Sequence, residues 1–342
     1  MRILVTGTDG YIGVQLGPYL AERGHDVVGL DTGFYRSRSL YDAGLPDLTV
    51  LRKDVRHIVE SDLREVDAVV HLAELSNDPL GQLNPALTFR INHAASVRLA
   101  ALSRAAGVRR FVYTSSCSVY GVGSDEFKTE ASPVSPQTAY AECKALVERD
   151  VVALAGPDFH PTFLRNATAF GASPSMRFDI VLNNLAGHAW TTRTIAMSSD
   201  GTPWRPLVHV LDICEAVACV LAAPDEAVSG EIFNVGDETQ NYRVREIADI
   251  VARAFPGCAV TFGPSGGDNR SYRVSFEKIR RRLPEFQCRH DAAAGARELR
   301  TIFEAIGLTT PTFEGPPFTR LKQLEQLIAT GQVDSELFWV RD

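Results

Sequence analysis

Residues 1–31, MRILVTGTDGYIGVQLGPYLAERGHDVVGLD, constrain the fold more than any other stretch of the chain. Ile3, Leu4 and Val5 form a short apolar run, as in a strand buried on both faces. Thr6 and Gly7 break it, and Gly7, Gly10 and Gly13 follow at three-residue steps. Ile12, Leu16 and Leu20 recur at helical spacing, and Arg23-Gly24 supplies a basic last turn and a glycine stop. Val27 to Leu30 make a second apolar run, which ends on Asp31. The order strand, glycine turn, helix, strand predicts an α/β fold with a doubly wound parallel sheet.

Each part of this stretch has a physical job. Gly7 allows a tight turn, Gly10 lets a pyrophosphate approach the backbone, and Gly13 lets the helix lie close to the strand. Tyr11 and Ile12 belong to the same turn, at a helix N-terminus whose unpaired N–H groups and partial positive charge suit phosphates. Asp31 can accept hydrogen bonds from both hydroxyls of an adenosine ribose. A 2′-phosphate there would meet its charge, so the expected cofactor is NAD rather than NADP. Arg36 and Arg38 complicate this expectation: they can neutralise such a phosphate, or simply be solvated in a loop. Asp54 and Val55, after the strand Leu48–Leu51, can meet the adenine amino group and ring. Asp54 can equally cap a helix, and the two roles are compatible.

Composition narrows the function classes. With 342 residues, 45% hydrophobic and 23% charged, the chain has the make-up of a globular protein with one large domain or two interlocked ones. A net charge of −7 gives no support to nucleic-acid binding or to anionic membranes. No apolar run approaches membrane-spanning length, and the first strand occupies the place of a signal peptide. Six scattered cysteines form no CxxC pair, and no His cluster has ligand spacing. Reduced thiols, a cytoplasmic location and no metal site are therefore expected.

Strand and helix go on alternating after Asp31. Strands are expected at Ala68–His71, Phe111–Thr114 and Phe163–Leu164, with a helix from Thr88 to Ala106 that carries Asn92 and another from Tyr140 to Ala155. The texture changes near residue 168. The expected division is a nucleotide-binding domain of residues 1–167, joined by the returning segment 207–237, and a smaller interwoven substrate cap of residues 168–206 and 238–342.

The candidate chemistry sits where a strand ends. Tyr113-Thr-Ser-Ser-Cys-Ser-Val-Tyr-Gly121 leaves the carboxyl end of one strand, and Tyr140-Ala-Glu-Cys-Lys144 opens the next helix. Tyr140 and Lys144 share a helix face, with Cβ atoms about 5–6 Å apart. A phenol titrates near 10, too high for a base at neutral pH, but a neighbouring ammonium favours the phenolate. With Ser116 bonding the same substrate oxygen, the group can take a proton from an alcohol while hydride leaves its carbon. YxxxK alone is common; its weight comes from standing beside the nucleotide turn.

The chain resembles the extended short-chain dehydrogenase/reductase family, and within it the NAD-dependent epimerase/dehydratase branch that works on nucleotide sugars. The resemblance rests on GTDGYIG (7–13), Asp31, Asp54-Val55, HLAE (71–74), Asn92, SSCSVYG (115–121), YAECK (140–144), LRNATAFG (164–171), RPLVHVLD (205–212) and FNVGD (233–237), and covers residues 1 to about 280. Similarity to the UDP-galactose 4-epimerase-like members implies that Ser116, Tyr140 and Lys144 are catalytic. It implies cofactor contacts from Gly7, Gly10, Tyr11, Ile12, Gly13, Asp31, Asp54, Val55, Leu72, Ala73, Asn92, Thr114, Tyr140 and Lys144. Substrate contacts are expected from Ser76, Ser116, Cys117, Ser118, Thr168, Asp179, Asn183 and Arg205, the last on phosphate rather than in a surface ion pair. It also implies a homodimer, through a four-helix bundle built on the apolar outer faces of helices 88–106 and 140–155.

Where the chain departs from the pattern, it narrows the reaction. Dehydratases of the branch carry Asp-Glu directly after the catalytic hydroxyl; here Cys117 and Ser118 stand there, which argues against 4,6-dehydration, and Ser118 argues against decarboxylation. Cys117 reads best as a small buried thiol. The family's phosphate-binding Arg before Gly-Asp is missing from GPSGGD (263–268), where Asp268, Arg270 and Arg273 are the candidates to substitute. The expectation is an epimerase that oxidises a sugar hydroxyl, at C4, to a ketone, with Tyr140 as base and hydride returned from NADH. A dehydrogenase or 4-ketoreductase is the alternative, and a non-catalytic nucleotide sensor ranks last.

Overall fold

The structure is a computed structural model that describes residues 1–36, 39–76, 78–264 and 270–340. Seven strands form the central sheet: β1 Arg2–Thr6, β2 Asp26–Asp31, β3 Thr49–Arg52, β4 Ala68–His71, β5 Arg110–Ser116, β6 His160–Asn166 and β7 Ile232–Val235. Their order is β7-β6-β5-β4-β1-β2-β3, and every pair is parallel. The chain runs outward from β1 to β3, then crosses back to place β4 on the other side of β1. That reversal opens a crevice at the carboxyl ends of β1 and β4, where doubly wound sheets bind their ligands.

Alternation along the strands builds a core on each face of the sheet. Ile3, Val5, Val70, Val112 and Leu164 pack with Leu16, Leu20 and Val217 on one face. Leu4, Val69, Phe111 and Phe163 pack with Leu99, Val147 and Val151 on the other. Burial on both faces explains the near-continuous apolar runs in the sequence. β6 is longer than the expected Phe163–Leu164, because its flanking polar residues are buried as well. The helix expected over 88–106 is not uniform: Pro85–Thr88 and Ala95–Ala105 flank a wider π turn at Phe89–Ala94.

Parts of the chain after β6 form a separate three-stranded sheet with its own core. A three-stranded sheet, Thr168–Phe170, Trp204–His209 and Asn241–Arg243, meets the helices Val181–Thr191, Val244–Ala254 and Ala292–Ile306. Phe170, Phe178, Leu207, Ile247, Leu299 and Phe303 fill its core. Two features go beyond the sequence reading. Val122–Lys128 forms a strand that pairs in parallel with Ser271–Val274. And the tail, expected with the cap, returns to the first hundred residues: Leu324 and Leu327 of the helix Arg320–Ala329, with Val333 and Leu337, pack on Leu75, Leu87 and Ile91 and against Phe34 and Tyr35. Their apolar side chains need cover that the cap does not give them. Among the described residues no helix is long and apolar enough to cross a membrane, and no His, Cys, Asp and Glu cluster could hold a metal ion.

Candidate functional site

A cleft of about 670 Å³ opens at the carboxyl ends of the strands. Its first half is made by backbone. Gly7 has φ +77°, and a Cβ there would lie 2.9 Å from the Ala73 nitrogen. A Cβ on Gly13 would come within 2.0 Å of the Gly7 carbonyl oxygen, so the helix Gly13–Glu22 can start only if glycine is there. No side chain caps this helix, and Gly10, Tyr11, Ile12 and Gly13 line the cleft. This is a cradle for phosphates.

Asp31 closes the same half. Its carboxylate accepts N–H bonds from Asp9 (3.0 Å) and Gly33 (2.8 Å) and lines the cleft. Burial, aided by the charge of Asp9, holds its pKa up at about 6. Val55 lines the cleft with Asp54, whose oxygens accept from the Arg56 backbone (2.8 Å) and from its guanidinium (2.9 and 2.7 Å). Asp54 is thus the cap of the turn Val55–His57. Uncapped N–H groups, an acid at the end of β2 and a turn that only glycine can make fit a dinucleotide.

The middle of the cleft holds Thr114, Ser116, Ser118, Tyr140 and Lys144. Thr138 caps the helix Ala139–Val152, and so places Tyr140 and Lys144 in its first two turns, facing the ends of β4 and β5. Lys144 is 4% exposed, donates to the Thr114 carbonyl and lies 2.5 Å from Glu74. Its ammonium is 5.5 Å from the Tyr140 ring centroid and 4.6 Å from that of Tyr113. Burial pulls the ammonium down, but Glu74 and Tyr140 outweigh it and keep Lys144 charged. Contrary to the expected acidic phenol, Tyr140 is raised on balance: burial raises it most, Lys144 lowers it, and Glu74 raises it again. The Ser116 oxygen accepts from the Ser118 N–H at 3.1 Å, which leaves its own proton to donate.

Glu74 is the residue of this centre to which the sequence reading gave no role. It is buried, lines the cleft and accepts from the Tyr113 hydroxyl at 2.5 Å. Burial raises its pKa against the pull of Lys144. The available signal was an acid directly after the apolar strand VDAVVHLA.

The far half of the cleft gathers Ser76, Thr168, Asp179, Arg205 and Arg270, together with Arg177 and Tyr272, which the sequence did not single out. Arg177 grips both oxygens of Asp179 (2.9 and 3.0 Å) and reaches the Ser76 carbonyl at 3.3 Å. Arg205 donates to the carbonyls of Trp204 (2.8 Å) and Arg270, and Arg270 pairs with Asp78. Asp268 lies outside the described residues.

Four expected contacts do not line the cleft. Cys117 turns away: its thiol meets the Arg165 carbonyl at 3.1 Å, and burial pushes its pKa up. Asn183 is fully buried and spends its amide on Gly171 and Arg177 backbone. Arg273 stacks on Phe127 and Trp204 instead. Asn92 bonds the Leu75 N–H (2.8 Å) and carbonyl (3.0 Å) from the π turn, and so fixes the 72–76 loop that Leu72 and Ala73 carry into the cleft. The outer face of the two helices is also less apolar than expected. Val152 is the exposed large apolar residue there, among Arg90, Ala94, Arg98, Ala101, Glu142 and Arg149.

Comparison with known proteins agrees with this geometry. The chain is 30% identical over 82% of its length to a UDP-glucose 4-epimerase of Mycolicibacterium smegmatis, covering 91% of that protein. It is 26% identical over 83% of its length to a UDP-N-acetyl-alpha-D-glucosaminuronate decarboxylase of Bacillus cytotoxicus, covering 89% of it. The solved structure of MoeE5 in complex with UDP-glucuronic acid and NAD superposes with a TM-score of 0.77 at 27% identity, over 89% of this chain and 99% of that one. Residues 3–236 match the pattern of the NAD dependent epimerase/dehydratase family. The chain belongs to that family, whose cofactor is NAD, and shares its fold.

Proposed function

We propose that the chain is a nucleotide-sugar epimerase that works by reversible oxidation of one sugar hydroxyl, with C4 as the carbon. One observation carries this reading: no carboxylate follows Ser116. Cys117 faces the backbone of Arg165, and Ser118 brings only a buried hydroxyl to the cleft. Eliminating water needs an acid for the leaving oxygen and a base for the neighbouring carbon; a hydroxyl–ketone exchange needs one proton acceptor. Glu74 is held by Lys144 and Tyr113, and Glu148 by Arg165 and Ser115.

When bound, NAD supplies the acceptor and donor of hydride. Tyr140 takes the proton of the sugar hydroxyl and later returns it. Lys144 favours the phenolate, and Ser116 donates to the same sugar oxygen. Arg205 and Arg270 stand at the far end for the nucleotide phosphates. UDP sugars are bound by MoeE5 and named in the epimerase and decarboxylase relatives, which makes them the first substrates to try. The same reading gives a cytoplasmic enzyme and a homodimer on the helices 95–105 and 139–152; sedimentation as a monomer at micromolar concentration overturns the dimer.

The test is incubation with UDP-, dTDP-, GDP- and CDP-sugars in heavy water, read by NMR. The expected result is an inverted sugar without solvent deuterium on carbon and without net NADH. A 4-keto-6-deoxy product identifies a dehydratase, and deuterium at carbon without that product identifies proton transfer at carbon, as in decarboxylation or inversion next to the ketone, instead of hydride return. Stoichiometric NADH identifies a dehydrogenase.

A further inference from the structure

Arg320 opens the helix Arg320–Ala329, beyond the residues that match the family pattern. It is 2% exposed, yet it lines the cleft. Its Nη2 donates to the Ser175 carbonyl (2.9 Å) and hydroxyl (3.0 Å), and its guanidinium lies 4.1 Å over the Tyr35 ring. Its Nη1 is buried with no hydrogen-bond partner among the described residues. The charged groups around it are Asp31, Arg177 and Asp179. Arg177 and Asp179 grip each other through two bonds. A buried guanidinium with an idle N–H is costly, and the chemistry that repairs it is an oxyanion.

Place decides which oxyanion. Ser175, which holds Arg320, is two residues from Ser173, whose hydroxyl donates to the Tyr11 carbonyl in the glycine turn at 2.8 Å. Tyr35, beneath the guanidinium, lies just past Asp31. Through Ser175 and Ser173 the segment that holds Arg320 reaches the glycine turn, and through Tyr35 it meets the segment just past Asp31. Of the far half's cations, Arg177 comes near Arg320 but is gripped by Asp179, whereas Arg205 and Arg270 are tied to Trp204 and Asp78.

We propose that Arg320 is a diphosphate-binding residue of the dinucleotide site, so that the tail of the chain supplies one wall of that site. Other contacts hold this wall independently of Arg320. Gln323 donates to the Phe34 carbonyl (3.0 Å), and Trp339 donates to the Thr32 carbonyl (2.7 Å). Phe338 stacks on His57 with centroids 5.0 Å apart, and Arg56 donates to the Glu336 carbonyl (2.8 Å). The inference rests on the family's cofactor and is independent of the reaction proposed above.

The experiment measures the binding of NAD, ADP, adenosine and UDP to cofactor-stripped full-length protein by calorimetry, for wild type, Arg320→Met and Arg320→Lys. Thermal melts show whether each is folded. Arg320→Met is expected to weaken NAD and ADP by about 10- to 100-fold while adenosine and UDP change by less than about twofold. Arg320→Lys keeps the charge without the fork and should fall between. Unchanged NAD and ADP affinity overturns the proposal. So does an equal loss for adenosine, which marks a purely structural residue, or a loss confined to UDP, which moves Arg320 to the sugar nucleotide. If Arg320→Met does not fold, Arg320→Lys decides on the same four ligands. Wild type that binds neither NAD nor ADP contradicts the cofactor reading rather than the role of Arg320.

Discussion

The two ends of the cleft are built from different material. The nucleotide end is mostly backbone: a glycine turn, an uncapped helix start, and one acid pinned by two N–H groups. The far end is mostly side chain: Arg177 on Asp179, Arg270 on Asp78, Arg205 on two carbonyls. Backbone geometry tolerates few alternatives, whereas arginines on flexible stems can be re-aimed by changing a partner. The first end therefore admits few changes, and the second leaves room to accommodate a different ligand.

Substitutions can break that contrast, beginning at the centre the two ends share. Tyr140→Phe should lower kcat by about 10²- to 10⁴-fold with NAD binding retained, because only the proton acceptor is lost. Loss of NAD binding instead would make Tyr140 part of the nucleotide end. Asp31→Asn should weaken NAD by about 10- to 100-fold. The pH dependence gives the sign. Asp31 accepts strongly from both ribose hydroxyls only when ionised, so the NAD affinity of the wild type should fall as pH drops through about 6. Titrations from pH 5 to 8 check this, and the Asp31→Asn profile should be flat over that window.

At the far end the expected losses are smaller. Arg205→Ala should raise the KM for the nucleotide sugar about tenfold and leave NAD binding alone, as for one phosphate contact. A change in NAD affinity would erase the division between the ends. Cys117→Ser should change kcat/KM by less than about threefold, since the thiol faces backbone and lies off the cleft. A large loss there would return Cys117 to the chemistry.

The same contrast explains what the sequence disclosed. Gly7, Gly13 and Asp31 were legible because their constraints lie within one strand–helix–strand unit. Tyr140 and Lys144 were legible because a helix fixes their spacing. Arg320 was not, since nothing near it in sequence reports that it meets Ser175, 145 residues away. Val122–Lys128 carried no strand pattern, because its pairing is decided by Ser271–Val274. Glu74 was visible as a letter, but its role depends on Lys144 from another element. Asn92 was expected on the cofactor and Asn183 on the substrate. Geometry gives them to loop fixing, a distinction that only the direction of an amide can make.

β7 carries a consequence of its own. It reaches the sheet edge, beside β6, only after the chain has passed through Thr168–Phe170 and Trp204–His209. The large sheet cannot be finished until those excursions have been made and the polypeptide has come back. Cutting the chain near residue 168 would thus leave a sheet short of its outermost strand, rather than two self-sufficient pieces. Melting should proceed as one cooperative event.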